Sequence, residues 1–446
     1  MPVTLRLLLV RHGLSSFNLE RRIQGRNDLS TLTEEGHQQA SKTGQVLSNL
    51  PINAVYSSPL KRAASTTNNI LEASNHNLQP VFDEGLLEIE LGPWSGMTAD
   101  EVKKKYPQVY NTWRTQPEEL ILTREDGSTF KPIQELKNQA KDFLERIVKK
   151  HSPKKDQTIL VVAHNAILRC IILELLKQPK QGFRRIQIDN SSLTIFNLRP
   201  SKFNSYEVQL ECLNSTTHLN SGFPKRGAHG ARIILVRHGE TDWNLQGRFQ
   251  GQIDIPLNKS GKEQAKAAGL FLREIALDKA FSSSMTRPRQ TAEAIIENQS
   301  DIKIELQSEL IEIGHGLWEG KLESEIQKEW PELLETWKNH PEKVQMPEGE
   351  TVQEVWTRSV KCWEEISSAL SSKETALVVA HDAVNKTILC HLLGMSPADI
   401  WTIKQGNGCV TIVDICKEAN QPDVVTCLNL TSHLGGVIDN TAAGAL

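Results

Sequence analysis

Two sets of histidine, arginine and glutamate residues recur in the same order along the chain, and residues of these types could together act on a phosphoryl group. They are Arg11, His12, Arg62, Glu88 and His164 in the first set, and Arg237, His238, Arg287, Glu312 and His381 in the second. Guanidinium groups and a cationic imidazole match the oxygens of a phosphate and stabilise its negative charge. A neutral imidazole can attack phosphorus, while a carboxylic acid can protonate the leaving oxygen and then activate water. The two sets therefore predict phosphoryl transfer without a metal ion.

These residues belong to two copies of one sequence module. Residues 7–13 (LLLVRHG) return as residues 233–239 (IILVRHG), and the sequence VVAH ends at His164 and again at His381. Such a long repeat indicates two tandem domains of one kind. The predicted organisation is module 1 (residues 1–220), a linker containing Gly and Pro (221–230), module 2 (231–434) and a flexible tail (435–446).

Each module places its candidate residues directly after predicted strands. In module 1, apolar runs at residues 5–10 and 158–163 precede the Arg-His pair and the second histidine. Strands alternate with helical patterns, which predicts an α/β/α three-layer fold with a mostly parallel central sheet. Because ligands bind outside the carboxyl ends of parallel strands, we expect both histidines at one sheet edge. In module 2, Ser260 followed by Glu263 predicts a capping box at the start of a helix.

Residues 236–244 (VRHGETDWN), followed by Arg287, Glu312 and His381, resemble the histidine phosphatase superfamily, also called phosphoglycerate mutase-like. The resemblance covers both modules and implies that fold for each. It implies that His238 and His12 become phosphohistidines, and that Glu312 and Glu88 donate the proton. The implied phosphate-binding residues are Arg237, Arg287, His381, Asn244 and Gly251 in module 2, and Arg11, Arg62, His164, Asn18 and Gly25 in module 1. In its tandem arrangement and its size, the chain also resembles the 2-carboxyarabinitol-1-phosphatase-like proteins of chloroplasts and cyanobacteria.

Module 2 follows the family pattern more closely than module 1. The family usually has a glutamate at the position of Glu350, where module 1 has Ser128. Both modules lack the glycine that often follows the second histidine in this family and have Asn165 and Asp382 instead. We expect module 2 to be catalytic. Module 1 is either a second active site or a non-catalytic module that binds a phosphorylated metabolite.

The spacing of the motifs also bears on the type of reaction. In both modules the segment between the glutamate and the second histidine is short, residues 89–163 and 313–380. The mutases that resemble this chain carry a longer insertion there, so the short form resembles the phosphatase branch. We therefore predict hydrolysis of small phosphomonoesters, namely sugar-acid or hydroxy-acid phosphates. The alternative enzyme is a phosphoglycerate mutase.

Composition excludes several other classes of function. The 446 residues carry a net charge of −3, with 38% hydrophobic and 24% charged residues, which is typical of a soluble globular protein and not of a basic nucleic-acid-binding protein. No apolar run is long enough for a membrane span, and the first ten residues lack a signal-peptide pattern. The 7 cysteines include no C-x-x-C pair, so neither a disulfide framework nor a zinc site is predicted. We expect a cytoplasmic enzyme that acts on a small phosphorylated metabolite, with no cofactor, metal, nucleic-acid or membrane partner; oligomeric state is left open.

Overall fold

The computed structural model separates the chain into two compact units, Met1–Pro224 (unit 1) and Lys225–Leu446 (unit 2). The described residues are 4–151, 155–177, 182–200, 206–219, 222–226, 230–297, 299, 302–418 and 421–441. Part of the predicted linker, residues 221 and 227–229, lies outside this described set. The first strand of unit 2 begins at Gly230.

Unit 1 contains a six-stranded sheet, a small hairpin and seven helices among its described residues. The strands are β1 (Leu5–Arg11), β2 (Ala54–Ser57), β3 (Val81–Phe82), β4 (Leu122–Thr123), β5 (Thr129–Phe130), β6 (Gln157–Ala163), β7 (Leu193–Pro200) and β8 (Tyr206–Ser215). The helices are α1 (Ser16–Leu19), α2 (Glu34–Leu47), α3 (Lys61–Ser74), α4 (Ala99–Lys105), α5 (Pro107–Thr115), α6 (Pro132–Lys150) and α7 (Asn165–Leu175).

The sheet of unit 1 has the strand order β8-β7-β1-β6-β2-β3. The pairs β1/β6, β6/β2 and β2/β3 are parallel, whereas β1/β7 and β7/β8 are antiparallel. Helix α2 packs on α3 and helix α6 on α7, giving the three-layer α/β/α arrangement. This confirms the predicted fold class, with the antiparallel strands confined to one side of the sheet.

Unit 2 repeats this arrangement. Its strands are β9 (Gly230–Arg237), β10 (Lys279–Ser283), β11 (Ile304–Gln307), β12 (Thr375–Ala380), β13 (Val410–Cys416) and β14 (Val424–Leu430). Its helices are α8 (Asp242–Gln246), α9 (Lys259–Leu272), α10 (Thr286–Ile296), α11 (Glu323–Glu329), α12 (Pro331–Asn339), α13 (Val352–Ser368) and α14 (Asp382–Leu393). The strand order is β11-β10-β12-β9-β13-β14, and the four strands from β11 to β9 are parallel to one another. Every residue of β9 is buried, as expected of a central strand covered on both faces.

One local prediction for unit 2 is wrong. The N-cap of helix α9 is Asn258, two residues before the predicted N-cap Ser260, and its side chain accepts the N–H of Gly261. Ser260 therefore lies inside the helix. The segment predicted as a flexible tail is held as far as Thr441, whose Oγ1 accepts the N–H of Asn407 at 3.0 Å. Within this segment Asp439 is buried and forms an ion pair with Lys404 at 3.3 Å.

Candidate active site

Strand pairing brings the two histidines of each set together at the carboxyl edge of the sheet. In unit 1, β1 and β6 are parallel neighbours with Arg11 opposite Ala163, so the residues that follow them emerge side by side. The N–H of His12 donates to the Ala163 carbonyl at 2.9 Å, and the ring centroids of His12 and His164 are 5.2 Å apart. In unit 2 the rings of His238 and His381 are 5.1 Å apart. The predicted meeting of the two histidines is confirmed in both units.

The hydrogen bonds of the first histidine define which nitrogen is free. His238 Nδ1 lies 2.7 Å from the Gly239 carbonyl, and His12 Nδ1 lies 2.8 Å from the Gly13 carbonyl. A carbonyl oxygen can only accept, so Nδ1 carries the hydrogen and the lone pair of the neutral ring is at Nε2. In unit 2 the Nε–H of Arg287 donates to His238 Nε2 at 3.3 Å, as this tautomer requires.

Burial beside arginines keeps these first histidines neutral. The pKa of His238 is lowered well below the ordinary imidazole value by burial, and then by the charges of Arg287 and Arg237. Burial, followed by the charges of Arg11 and Arg62, lowers the pKa of His12 in the same way. Both rings therefore keep a lone pair at neutral pH, which a nucleophile requires.

The second histidine differs from the sequence expectation in its charge. Its Nε2 lies beside a serine hydroxyl, 2.7 Å from Ser58 Oγ for His164 and 2.9 Å from Ser283 Oγ for His381. Both rings are fully buried, and burial is the main cause that lowers their pKa well below the ordinary value. Burial therefore favours the neutral form of both rings, and the expectation of a cationic imidazole at this position is wrong.

The second arginine of each set is fixed by backbone carbonyls of the loop after the first helix. Arg62 on α3 donates from Nη2 to the Gly25 carbonyl at 2.9 Å, and Arg287 on α10 donates to the Gly251 carbonyl at 2.8 Å. Both glycines have positive φ, +51° for Gly25 and +46° for Gly251, a conformation that residues with a Cβ rarely adopt. The two glycines therefore support the arginines through their carbonyl groups.

The predicted asparagine of each set lies on the first helix and contacts the loop that precedes the antiparallel strand next to the first strand. Asn18 Oδ1 accepts from Asn190 Nδ2 at 3.1 Å, and Asn244 Oδ1 accepts from Asn407 Nδ2 at 3.3 Å. Asn190 also donates to the carbonyl of His12 at 2.9 Å. Sequence reasoning missed Asn190 and Asn407, although both recur at the same position before the last two strands of their modules.

The side chain of the glutamate of each set accepts N–H groups from the first turn of the helix that follows the second histidine. Glu88 Oε1 accepts the N–H groups of Ala166 and Ile167 at 3.1 and 3.2 Å, and Glu312 Oε2 accepts the N–H of Asp382 at 3.0 Å. Burial is the main cause that raises the pKa of Glu312, and the charge of Asp382 raises it further. A raised pKa favours the protonated form that a proton donor needs.

A cavity of about 220 Å³ opens at the carboxyl edge of the sheet in unit 1. The predicted site residues among those that line it are Arg11, His12, Asn18, Gly25, Arg62 and Glu88. His164 does not line it and lies fully buried behind the ring of His12. The structure thus brings six of the seven predicted site residues of module 1 to one small cavity.

Comparison with known proteins supports this grouping. The sequence model of the histidine phosphatase superfamily (branch 1) matches residues 7–210 and again residues 233–427. The chain belongs to this superfamily. The likeness extends to 2-carboxy-D-arabinitol-1-phosphatase of Triticum aestivum, which is 27% identical over 452 residues, 96% of this chain and 86% of that protein.

Other members of the superfamily match about one unit's length of the chain. Phosphoserine phosphatase 1 of Hydrogenobacter thermophilus is 33% identical over 204 residues, 46% of this chain and 94% of that protein. The solved structure of Bacillus stearothermophilus YhfR is 27% identical and covers 46% of this chain and 96% of its own, with a TM-score of 0.41.

The two histidine phosphatase units fasten the glutamate loop differently, which explains one departure seen in the sequence. In unit 2, Glu350 accepts the N–H of Gly314 and pairs with Arg358, which donates to the carbonyl of Glu312 at 3.0 Å. In unit 1 the carbonyl of Glu88 accepts instead from Arg26 Nε at 3.1 Å. Unit 1 therefore holds its loop without a glutamate at Ser128.

The residue after the second histidine is the main electrostatic difference between the two histidine phosphatase sites. In unit 2, Asp382 forms ion pairs with Arg237 at 3.3 Å and with Lys386 at 2.7 Å. In unit 1 the neutral Asn165 stands there and donates to the Ile188 carbonyl, which Arg11 also contacts. A carboxylate beside the first arginine opposes the binding of a phosphate, so unit 2 carries less positive charge at its site.

Two tryptophans and one histidine near the glutamates of the site are buried. Trp94 and Trp318 are fully buried. His315, which follows Glu312 in the same loop, is fully buried between Phe249 and Trp337. Within the described residues, no His, Cys, Asp and Glu side chains cluster in a way that could hold a metal ion. No helix in that part of the chain has both the length and the apolar content to cross a bilayer.

Proposed function

We propose that both units hydrolyse small phosphomonoesters through a phosphohistidine, with His12 as the nucleophile of unit 1 and His238 that of unit 2. The observation that carries this proposal is the tautomer of the buried ring. A hydrogen on Nδ1 is given to a backbone carbonyl, and the lone pair on Nε2 is left beside the arginine that would bind the phosphate. A phosphatase function also agrees with membership of the superfamily and with the phosphatase names of the similar proteins.

In the first step, His238 Nε2 attacks phosphorus in line with the leaving oxygen. The N–P bond forms as the P–O bond breaks, and Glu312 gives its proton to the departing alkoxide. Arg237 and Arg287 carry the charge that balances the phosphoryl oxygens in the transition state. His12, Glu88, Arg11 and Arg62 take the same roles in unit 1.

In the second step, water attacks the phosphohistidine and Glu312, now ionised, accepts a proton from that water. The N–P bond breaks, inorganic phosphate leaves, and His238 and Glu312 return to their starting states. His381, Asn244 and Gly251 complete the phosphate site in unit 2, as His164, Asn18 and Gly25 do in unit 1. Binding of the phosphate favours protonation of His381, because the negative charge of the phosphate offsets the positive charges of the arginines.

The substrate class follows from the similar proteins and from the size of the cavity. The wheat protein that is similar along almost the whole chain is named as a phosphatase of a sugar-acid phosphate. A cavity of about 220 Å³ is smaller than typical drug-sized pockets and suits a small metabolite. We therefore propose sugar-acid or hydroxy-acid phosphates as substrates. A cytoplasmic location is part of this proposal, supported by the absence of disulfides among the 7 cysteines, which all lie in described positions.

The direct test is phosphate release from a panel of phosphorylated acids and sugars in excess EDTA. The wild-type chain is compared with His12→Ala, His238→Ala and the double variant. We expect EDTA to leave the rate unchanged, each single variant to keep the activity of its other unit, and the double variant to be inactive. Isomerisation of 3-phosphoglycerate without phosphate release would replace this proposal by a mutase. Full activity in His238→Ala and none in His12→Ala, or the reverse, would make one unit a binding module.

A further inference from the structure

The cavity of unit 1 contains positive charge beyond what the proposed phosphate site uses. Besides Arg11 and Arg62, its lining includes Arg169, Arg184 and Arg22. Arg22 is already paired, 2.7 Å from a carboxylate oxygen of the exposed Glu20. No carboxylate in the described part of the chain forms an ion pair with the other two additional arginines, Arg169 and Arg184.

Arg169 and Arg184 are held in place by backbone carbonyls and aromatic rings. Arg169 donates from Nη1 to the Phe183 carbonyl at 2.7 Å, with its guanidinium 5.3 Å from the centre of the Phe183 ring. Arg184 donates from Nη2 to the Trp113 carbonyl at 2.6 Å, with its guanidinium 4.8 Å from the Trp113 ring. The Nε atom of each is buried without a hydrogen-bond partner. These contacts orient the two guanidiniums and leave donors of both for a ligand.

The positive charges of Arg169, Arg184 and Arg11 repel one another. Burial, followed by the charges of Arg184 and Arg11, lowers the pKa of Arg169 to about 9. Burial also lowers the pKa of Arg184, and the negative charge of Glu118 opposes this shift. The Glu118 carboxylate accepts the N–H of Phe183 at 3.3 Å. An anion bound between the guanidiniums would relieve their mutual repulsion and the cost of their burial.

Unit 2 does not have this pair of arginines at the matching positions. Trp401 takes the place of Arg184, because its Nε1 donates to the carbonyl of Trp337, the tryptophan that matches Trp113. Lys386 takes the place of Arg169, and its charge is already neutralised by Asp382 at 2.7 Å. The extra positive charge is therefore specific to unit 1 and is not a requirement of the shared fold.

We propose that Arg169 and Arg184 form a second anion subsite in unit 1, which binds a second anionic group of the phosphomonoester whose phosphoryl group faces His12. This inference rests on the proposed function of unit 1. The guanidinium forks suit a carboxylate or a second phosphate, since both present two oxygens in one plane of approach. Unit 2, with Trp401 and the Asp382 pair at these positions, does not require a second anion. The two units thus differ in substrate class.

The test uses the full chain with His238→Ala, so that unit 1 alone turns over. Its kcat/KM is measured with 3-phosphoglycerate and with glycerol 3-phosphate, which differ in having a carboxylate or a hydroxymethyl group. The variants are Arg169→Gln and Arg184→Gln, and the matched control is Arg124→Gln, a half-buried arginine of unit 1 that is paired with Glu135 and does not line the cavity. A parallel comparison of fructose 1,6-bisphosphate with fructose 6-phosphate distinguishes a second phosphate from a carboxylate.

For the substrate with two anionic groups, we expect each cavity variant to lower kcat/KM at least tenfold, which corresponds to about 1.4 kcal/mol of transition-state stabilisation. For the substrate of the same pair with one anionic group, we expect a loss of less than about threefold. Arg124→Gln should leave both values unchanged. Equal losses for both members of a pair, or no loss for either, would overturn the subsite. If the His238→Ala chain hydrolyses neither member, the proposed catalysis by unit 1 fails. The subsite is then judged by calorimetric binding of 3-phosphoglycerate, which Arg169→Gln must weaken at least tenfold.

Discussion

In unit 2 the carboxylate of Asp382 lies 3.3 Å from the guanidinium of Arg237, the arginine that precedes the proposed nucleophile. The matching pair in unit 1 is Asn165 and Arg11, which share the Ile188 carbonyl as acceptor and carry no opposing charge. The change from an amide to a carboxylate after the second histidine thus alters the charge beside the first arginine of the site.

Replacing Asp382 by asparagine should make unit 2 bind phosphomonoesters more tightly. Removal of a negative charge close to the bound phosphate stabilises the complex by about 1–2 kcal/mol at the effective dielectric of such sites, or roughly tenfold in KM. Steady-state kinetics of Asp382→Asn in a His12→Ala background measures this. The reciprocal variant, Asn165→Asp in a His238→Ala background, should raise KM. An unchanged or higher KM in Asp382→Asn would show that this pair does not oppose substrate binding.

The same substitution should also move the alkaline limb of the pH profile of unit 2. The charge of Asp382 contributes to the raised pKa of Glu312, so its removal lowers that pKa. A proton donor with a lower pKa is lost at lower pH, and kcat should therefore begin to fall earlier on the alkaline side. Profiles of kcat from pH 5 to 9 for both chains test the direction. A shift towards higher pH would contradict the assigned role of Glu312.

Loss of the proposed proton donor should depend on the leaving group. Glu312→Gln in the His12→Ala background should reduce turnover of alkyl phosphates by about 10²–10⁴, because the alkoxide then leaves unprotonated. With p-nitrophenyl phosphate, whose leaving group needs no proton, the first step should survive and the second should be slow. The expected signal is a burst of nitrophenol followed by slow release. Glu309→Gln, at an exposed position, serves as the control; equal rate losses for both substrate types would argue against proton donation.

The buried His315 should reduce the stability of unit 2, increasingly so in acid. Neither ring nitrogen has a hydrogen-bond partner, and burial lowers its pKa to about 3. The unfolded chain therefore binds a proton below pH 6.5 that the folded unit does not. The free energy of unfolding consequently decreases as the pH is lowered through this range. His315→Leu, which installs the residue type of the matching Leu91, should raise the free energy of unfolding by about 1–3 kcal/mol.

Denaturant unfolding followed by tryptophan fluorescence measures this effect at pH 8 and pH 5. The gain of His315→Leu should be about 2 kcal/mol larger at pH 5, since each pH unit below 6.5 is worth about 1.4 kcal/mol. Leu91→His in unit 1 should have the opposite effect. If His315→Leu destabilises the chain at both pH values, the ring makes contacts that outweigh its unsatisfied nitrogens.

Much of the site follows from strand order and could be predicted from sequence. Arg11 and His12 close one strand and His164 follows another, so a parallel sheet brings them together whatever the details of packing. The repeat of the pattern in module 2 supports the same conclusion for His238 and His381. The residues given by these strand ends were therefore predicted from residue type and position alone.

The remaining contacts depend on tertiary packing, and the sequence does not reveal them. The contact of Ser58 with His164 depends on a neighbouring strand at the right register. Arg169 lies on a helix and Arg184 on a loop, and only the folded unit shows that both face one cavity. The charge of the second histidine was misjudged because burial, which lowers its pKa, cannot be read from the residue itself.

The most direct test of the account is to identify the residue that becomes phosphorylated. Chains with His12→Ala, His238→Ala and both substitutions are mixed with substrate, quenched in alkali to preserve phosphohistidine, and digested for mass spectrometry. The account predicts a phosphoryl group on His238 in the first chain, on His12 in the second, and on neither position in the third, which should also release no phosphate. Hydrolysis by the double variant, or a phosphoryl group on another residue, would contradict the central claim.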